Sequence, residues 1–474
     1  MGHLTRQTSI ALALGQRARV TILSLSSGIS AVAEQGIPVE YLPSYQRPWI
    51  PWTMWNNYLS DRLTALIDET DATVVVFDGV APYRGLVLAR RTRPDVTFVW
   101  FRRGMWRRGR NKSALRAEPF FDLTIEPGDV ATPSDQGYTR TRVARKIEPV
   151  SVLDVQPLLP RQEAVSALGL DPERRIGLVT LGSGAIGDNG KVREQALDIF
   201  VSAGWQVATT QAALSANYRA GAHVVVLTDV YPLARFANAF DVVISEAGYN
   251  ATHEFLQSSA RTILVPNEKT ATDDQVSRAE YLDLHGAVTS VRAHDSSKLR
   301  EAIEAAMYSV EHQTERLVQP VGPYGGSLTA ADILLALTSV KTDTNTDVVR
   351  RLRRVPYIAR IRATQFGEFV LGPATTDRIR QYRRKSPGLT ERLRINLAVD
   401  FPMDIPVTLH ATPIDLQATP ATMTMDLSKD DLSGTSPFEH VLKDSSQHYH
   451  ERRLEILLNY YDVASVSQRR LSDS

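Results

Sequence analysis

The stretch that decides the fold runs from Asp241 to Ala279 and reads DVVISEAGYNATHEFLQSSARTILVPNEKTATDDQVSRA. An apolar run, Val242 to Ile244, meets a polar turn holding Gly248, and a helical segment opens at Tyr249 to Thr252. A second apolar run, Thr262 to Val265, stops at Pro266, and a further helix begins around Asp274. Strand, turn, helix, strand, loop and helix in that order make a unit of parallel α/β sheet. The carboxyl ends of parallel strands open on one crevice, where helix amino ends present unpaired N–H groups and a positive dipole end. Such a crevice suits an anionic ligand.

The residues at that crevice are Glu246, Gly248, Asn250 and Glu254 after the first strand, and Asn267, Lys269, Asp274 and Gln275 after the second. A carboxylate one turn inside a helix accepts two vicinal hydroxyls, as a ribose offers; equally, Glu254 caps its own helix and the loop is solvated. Amide and carboxylate side chains on the second loop suit sugar hydroxyls, and Lys269 suits a phosphate.

On these residues the chain resembles the donor-binding half of the two-domain nucleotide-sugar glycosyltransferases of family 28, which includes the MurG-type N-acetylglucosaminyltransferases. The resemblance implies a GT-B fold of two Rossmann-like α/β domains facing across a cleft. It puts Glu254 on the donor ribose, and Asp274 and Gln275 on the donor sugar. Gly248 and Asn250 fall in the turn and first helical residues of the same motif.

The outer bounds agree. At 474 residues the chain is long enough for two sizeable cores and an appendage. A formal net charge of +1 gives no electrostatic argument for nucleic acid. The absence of cysteine excludes disulfides, thiolate metal sites and a cysteine nucleophile. No apolar run approaches the roughly 20 residues of a membrane-spanning helix, and the amino end lacks a basic region followed by an apolar core. Arg6 stands where a myristoylation signal wants Ser or Thr. A cytoplasmic protein is the expectation, with peripheral contact at the inner face of a membrane.

From the amino end, Met1 to Arg6 reads as a turn leading into an amphipathic helix, Thr8 to Arg17, and then a strand, Ala18 to Leu25. In the resembling family a Gly-rich turn ending in Gly-His follows a first strand; here the turn is present without that strand. The expectation is a start assigned too late or a truncated copy, leaving a slot of unpaired backbone in the amino-terminal sheet. At the tip of this turn His3 is either a general base, as a neutral imidazole near pH 7 and as the resemblance implies, or an exposed terminal residue. Asp78, ending the apolar strand Thr73 to Phe77, either orients His3, meets the acceptor, or caps a helix.

Trp49, Trp52, Met54 and Trp55 lie among prolines, suiting an acceptor cleft, a membrane-docking patch, or the local core under a long loop. Strand Val96 to Phe101 runs into Arg102, Arg103, Arg107, Arg108 and Arg110, which suit a phosphate-bearing acceptor or a solvated basic loop. Phe121 to Ile125 is a further strand, and Asp129 to Pro160 reads as a linker. The buried strand Ile176 to Leu181 then enters Gly182-Ser183-Gly184, where backbone N–H groups and the Ser183 hydroxyl suit phosphate oxygens; the resembling family has its pyrophosphate loop here. By the same resemblance, backbone at Val230 and Tyr231 meets the nucleotide base. Helices Ser297 to Tyr308 and Leu328 to Leu337 are expected to close this unit.

The domains expected are therefore 1–150 on the acceptor side, 151–338 binding the nucleotide sugar, and a small α+β extension, 339–474. Arginines in that extension suit anionic lipid headgroups or a solvated face. The reaction implied is glycosyl transfer with inversion, from a UDP-sugar to the hydroxyl of a small-molecule, glycan or lipid-linked acceptor, in cell-envelope glycan or glycolipid synthesis. No cofactor or metal is expected, the nucleotide sugar being a substrate. The rival readings are an epimerase or hydrolase of the same fold and a catalytically inactive nucleotide-sugar-binding protein.

Overall fold

The computed structural model describes residues 2–26, 28–44, 50–181, 189–210, 224–312 and 324–338, together with Arg354 and Ile358. Gly182, Ser183, Gly184, Trp49 and nearly all of the carboxyl-terminal extension lie outside the described residues. By contact the chain divides into two units. The first comprises Met1–Leu42, Thr70–Pro82 and Pro94–Thr346; the second comprises Pro43–Glu69, Tyr83–Arg93 and Asp347–Ser474.

Helix α1 (Gly2–Leu14) opens the first unit and runs into a 3-10 turn, Gly15–Arg17. Strand β1 (Ile22–Ser24), short helix α2 (Ser30–Ala33) and strand β2 (Val39–Tyr41) follow, with β1 and β2 forming a two-stranded parallel sheet. The expected turn at Met1 to Arg6 is helix instead. The polar residues there lie on a helical face of spacing three and four, shared with Ile10 and Leu14, which are buried against β4 (Thr97–Phe101).

In the second unit, helix α3 (Trp52–Thr70) includes Trp52, Met54 and Trp55 of the aromatic segment for which the sequence offered a cleft, a membrane patch or a local core. Trp55 is buried, donates its indole N–H to the Pro43 carbonyl at 2.7 Å, and meets the Tyr83 ring edge-on. It is core, and the prolines precede the helix rather than interrupt it. Helix α4 (Arg84–Thr92) approaches closely: a Cβ on Gly85 would stand 2.3 Å from the Asn56 carbonyl oxygen, and Asn56 Oδ1 accepts the Gly85 N–H.

Back in the first unit, β3 (Val74–Asp78), β4, β5 (Leu123–Pro127) and β6 (Arg145–Ile147) form a parallel sheet in that order. Every residue of β4 is buried, whereas those of edge strand β3 are only half-buried. Strand β6 falls inside the stretch read as linker. Its charged residues are exposed, and it is held by pairing with β5 from Ile125↔Arg145 to Pro127↔Ile147.

After α5 (Arg161–Ala167), a second parallel sheet begins with β7 (Ile176–Thr180), α6 (Gly190–Ser202), β8 (Gln206–Thr210) and β9 (Val224–Leu227). It continues through β10 (Val242–Ser245), α7 (Tyr249–Phe255), β11 (Arg261–Leu264), α8 (Gln275–Leu284), β12 (Thr289–Ser290) and α9 (Ser296–Glu311). Its order, β12-β11-β10-β7-β8-β9, is the Rossmann order, in which all strands run parallel and the side on which successive strands are added switches between β7 and β10. That switch opens the binding crevice beyond Leu181 and Ser245, the two points at which the sequence put its phosphate turn and its Glu254 helix.

The last described helix, α10 (Gly326–Thr338), does not close the second sheet as the sequence suggested. Ala330, Ala331 and Leu334 pack with Ile10, Leu14, Val99 and Ile125 on the amino-terminal sheet. The chain crosses back where a Cβ on Gly326 would stand 2.2 Å from the Glu148 carbonyl oxygen, and Asp154 accepts the N–H groups of Gly325 and Ser327. Only the small residues GS at the start of α10 permit that approach. The described architecture is α/β, with three parallel sheets, of which the six-stranded one has the Rossmann order.

Candidate active site

Asp78 ends β3 because a carboxylate does not continue an apolar run; there it meets the first two turns of α1. His3 Nδ1 lies 2.6 Å from Asp78 Oδ1. Arg6, three residues on and therefore on the same helical face, sends Nη2 to Oδ1 at 2.7 Å and Nε to Oδ2 at 3.1 Å. Gln7 donates to Oδ2 at 3.1 Å. Arg6 Nη2 also stands 2.8 Å from His3 Nδ1. A guanidinium only donates and an ionised carboxylate only accepts, so Nδ1 can serve only one of these two contacts; with its proton assigned to the shorter contact, to Asp78, the Nε2 lone pair is left free.

The electrostatics follow. Burial alone would raise the Asp78 pKa, but Arg6 and His3 outweigh it and hold the carboxyl far below its ordinary range. His3 is held below its ordinary value of 6.5, first by the protein packed around it and then by Arg6 and Arg103, with Asp78 opposing the shift. The imidazole is thus neutral at pH 7, and its side chain remains 48% exposed. The arrangement supplies an oriented base with an accessible lone pair.

Arg6 also ties this face to the second sheet. Its Nη1 donates to Asn250 Oδ1 at 3.3 Å, and Asn250 Nδ2 donates to the Gly2 carbonyl at 3.1 Å. Tyr249, beside it in the first turn of α7, is buried; its hydroxyl donates to the Gly128 carbonyl at 2.9 Å and accepts the Val150 N–H at 3.0 Å. Arg6 and Arg103 both lie over the Tyr249 ring, at 5.3 and 5.5 Å from its centroid.

One turn further along α7, Glu254 is half-buried, and its carboxylate has no hydrogen bond or ion pair among the described residues. Burial pushes its pKa from 4.5 up to about 7. It does not cap its helix, the bland option at the sequence level. Tyr231 stands near it, with Thr5 and Thr8 of α1 facing the Tyr231 hydroxyl, and Val230 precedes it after β9. Glu246, after β10, accepts from Asn189 at 2.8 Å.

The loop after β11 is internally tied. Gln275 Oε1 accepts the Asn267 N–H at 2.9 Å, and Gln275 lies under Gly248. Asp274 caps α8 by accepting from the Ser277 N–H at 3.1 Å. Lys269 is exposed. The five arginines after β4 do not act as one cluster. Arg102 is buried between Glu118 and Glu126, and Arg107 donates to the carbonyls of Glu268 and Thr270. Arg108 and Arg110 are exposed, and Arg103 faces the site.

Two elements escaped the sequence. Arg6 carried a signal, its i+3 spacing from His3, legible only once the helix starts at Gly2. The second is Arg278, fully buried, which donates to both oxygens of Asp129, to Asp273 and to the Ala247 carbonyl. Beside it, His253 Nε2 accepts the Val130 N–H, and its Nδ1 donates to the Tyr249 carbonyl. These bonds bind the loop after β5 to α7 and α8.

With this geometry in view, residues 187–319 match the glycosyltransferase family 28 C-terminal domain. That stretch is a glycosyltransferase family 28 C-terminal domain. It contains the whole of Asp241 to Ala279, so the chain carries a glycosyltransferase domain similar to that of family 28. Similar solved structures include the glycotransferase of kitacinnamycin, at 17% identity and a TM-score of 0.46 over 71% of this chain and 96% of that one. SnogD from Streptomyces nogalater, at 16% identity and 0.45, and MurG of Acinetobacter baumannii, at 14% and 0.43, cover the same shares. A search of the curated proteins finds no match. Among the described residues no helix is long and apolar enough to cross a membrane.

Proposed function

We propose that this glycosyltransferase moves a hexosyl or N-acetylhexosaminyl group from a UDP-sugar to an acceptor hydroxyl, with inversion, in cell-envelope glycan or glycolipid synthesis. The observation that carries the reading is the 2.6 Å contact of His3 Nδ1 with Asp78, with no partner on Nε2 among the described residues. In the reaction Nε2 takes the acceptor hydroxyl proton while the oxygen forms its bond to the anomeric carbon. The bond from that carbon to the donor phosphate oxygen breaks, and UDP leaves on the opposite side. The imidazolium so formed is stabilised by Asp78, whose charge is already in place.

On the donor side, Glu254 accepts the ribose hydroxyls, which supply the partners it lacks. Val230 and Tyr231 lie at the base, Asp274 and Gln275 at the sugar, and the turn Gly182-Ser183-Gly184 at the diphosphate. Peripheral contact with a membrane from the cytoplasmic side fits a lipid-linked acceptor. The test is a donor screen that follows UDP release with and without acceptors, beside calorimetry with UDP. Acceptor-dependent UDP release with inverted product supports the reading. Turnover without acceptor would make the protein a hydrolase or epimerase, and UDP binding without turnover an inactive binding protein.

A further inference from the structure

Three arginines lie at or beside the site, and two of them are spent. Arg6 is forked onto Asp78, and Arg278 lies between two aspartates. Arg103 differs. Its one ion-pair contact is Nη1 to Asp273 Oδ1 at 3.5 Å, and it makes no hydrogen bond among the described residues. Asp273 is itself already claimed by Arg278 at 3.0 Å. The Arg103 side chain is 16% exposed, and its nitrogens, which have no hydrogen-bond acceptor among the described residues, are not fully shut off from water. A guanidinium so placed, mostly sheltered yet reachable, is open to an anion.

Its position says which anion. Arg103 lies over the Tyr249 ring and close enough to act on His3 and Asp78 through space. It therefore stands on the base's side of the reacting centre, at the start of the loop that follows β4. From this geometry we infer that Arg103 recognises a carboxylate or phosphate carried by the acceptor close to its nucleophilic hydroxyl. The inference rests on the glycosyltransferase reading above and narrows its acceptor to an anionic one. A guanidinium suits either anion, since both present paired oxygens to its planar fork.

The experiment uses the full chain with labelled histidine and follows the His3 imidazole by NMR, assigned by loss of its signal in His3→Gln. Inorganic phosphate or acetate is added as probe. Phosphate bound at Arg103 adds negative charge beside His3 and should raise its titration midpoint by about half a pH unit. Acetate should do so less. The shift should vanish in Arg103→Gln, persist weakened in Arg103→Lys, which keeps the charge without the fork, and stay intact in the exposed-site control Arg108→Gln.

Repeating the titration with UDP bound separates acceptor anion from leaving diphosphate. A phosphate shift that survives saturation with UDP supports the inference. A shift abolished by UDP would assign Arg103 to the diphosphate and overturn it, as would a shift that persists in Arg103→Gln or no shift at all. Failure of UDP to bind would instead sink the donor assignment and leave the phosphate result readable.

Discussion

Two carboxylates, Asp78 with a buried side chain and Glu254 half-buried, have opposite fates. Asp78 accepts from Arg6, Gln7 and His3 and stays ionised through the whole physiological range. Glu254 has no partner among the described residues and titrates near pH 7. The amino-terminal side is thus assembled before any ligand arrives, while the carboxyl-terminal side is left for the ligand to complete. A base must be oriented in advance, because reorganisation during the reaction adds to the barrier. A binding carboxylate gains selectivity by being satisfied only when the right hydroxyls are present.

The largest effect should come from the preassembled side. His3→Ala removes the base and should lower kcat by about 10²–10⁴ while leaving UDP affinity unchanged, measured by UDP release and calorimetry. Asp78→Asn should follow. It leaves Arg6 buried without its counter-charge and should cost about 3–5 kcal/mol of stability at pH 7, read by denaturant unfolding. The sign of the pH dependence is set by the depressed pKa. The stabilisation from Asp78 is present above its unfolded value of 3.8 and is lost as pH falls toward the folded one. The gap between the wild type and Asp78→Asn should therefore narrow in acid. If Asp78→Asn proved as stable as the wild type at pH 7, the contrast between the two carboxylates would fail.

This contrast was half legible in the sequence. Glu254 was readable because it sits one helical turn beyond a strand whose apolar run is unmistakable, so its place at a strand end follows from local pattern. His3 and Asp78 were named for similar reasons, but Arg6 was not. Its burial depends on a carboxylate 72 residues away, and a helix beginning at Gly2 has no acid in its first turn to announce it. Long-range pairing likewise hid β6, whose exposed Arg145 and Lys146 look like linker until β5 lies beside them. Arg278 was invisible for the same cause, its partner Asp129 lying 149 residues away. Apolar runs reveal themselves one element at a time, whereas a buried charge makes sense only with its partner in hand.

The unfinished side gives smaller effects with a clear signature. Ribose hydroxyls donate to the ionised form of Glu254, so UDP binding should release protons around neutral pH and tighten as pH rises through about 7. Calorimetry in buffers of differing ionisation heat measures this. Glu254→Gln should weaken UDP by about 1–3 kcal/mol and flatten the pH dependence. The free protein should behave oppositely. A raised folded pKa means that the unfolded chain ionises first, so wild-type stability falls as pH rises from 4.5 toward 7. Glu254→Gln should therefore melt higher than the wild type at pH 8 and alike at pH 4. A lower melting point at pH 8 would show that Glu254 has found a partner within the protein.

Asp274 lies between the two extremes and gives the smallest effect. One of its oxygens accepts the Ser277 N–H and caps α8, as Asp78 is engaged; under the function proposed above the other meets the donor sugar, as Glu254 meets the ribose. Asp274→Ala should cost about 1 kcal/mol of stability through the lost cap. Its effect on ligands should separate by fragment. UDP, which lacks the sugar, should bind as before, and the UDP-sugar should bind a few-fold more weakly, about 1 kcal/mol for one lost hydrogen bond. Asp274→Ser restores the cap with a shorter side chain, so it should recover stability without recovering the sugar. If both properties return together in Asp274→Ser, the loop's order alone governs the sugar, and Asp274 belongs with the preassembled carboxylate rather than with the waiting one.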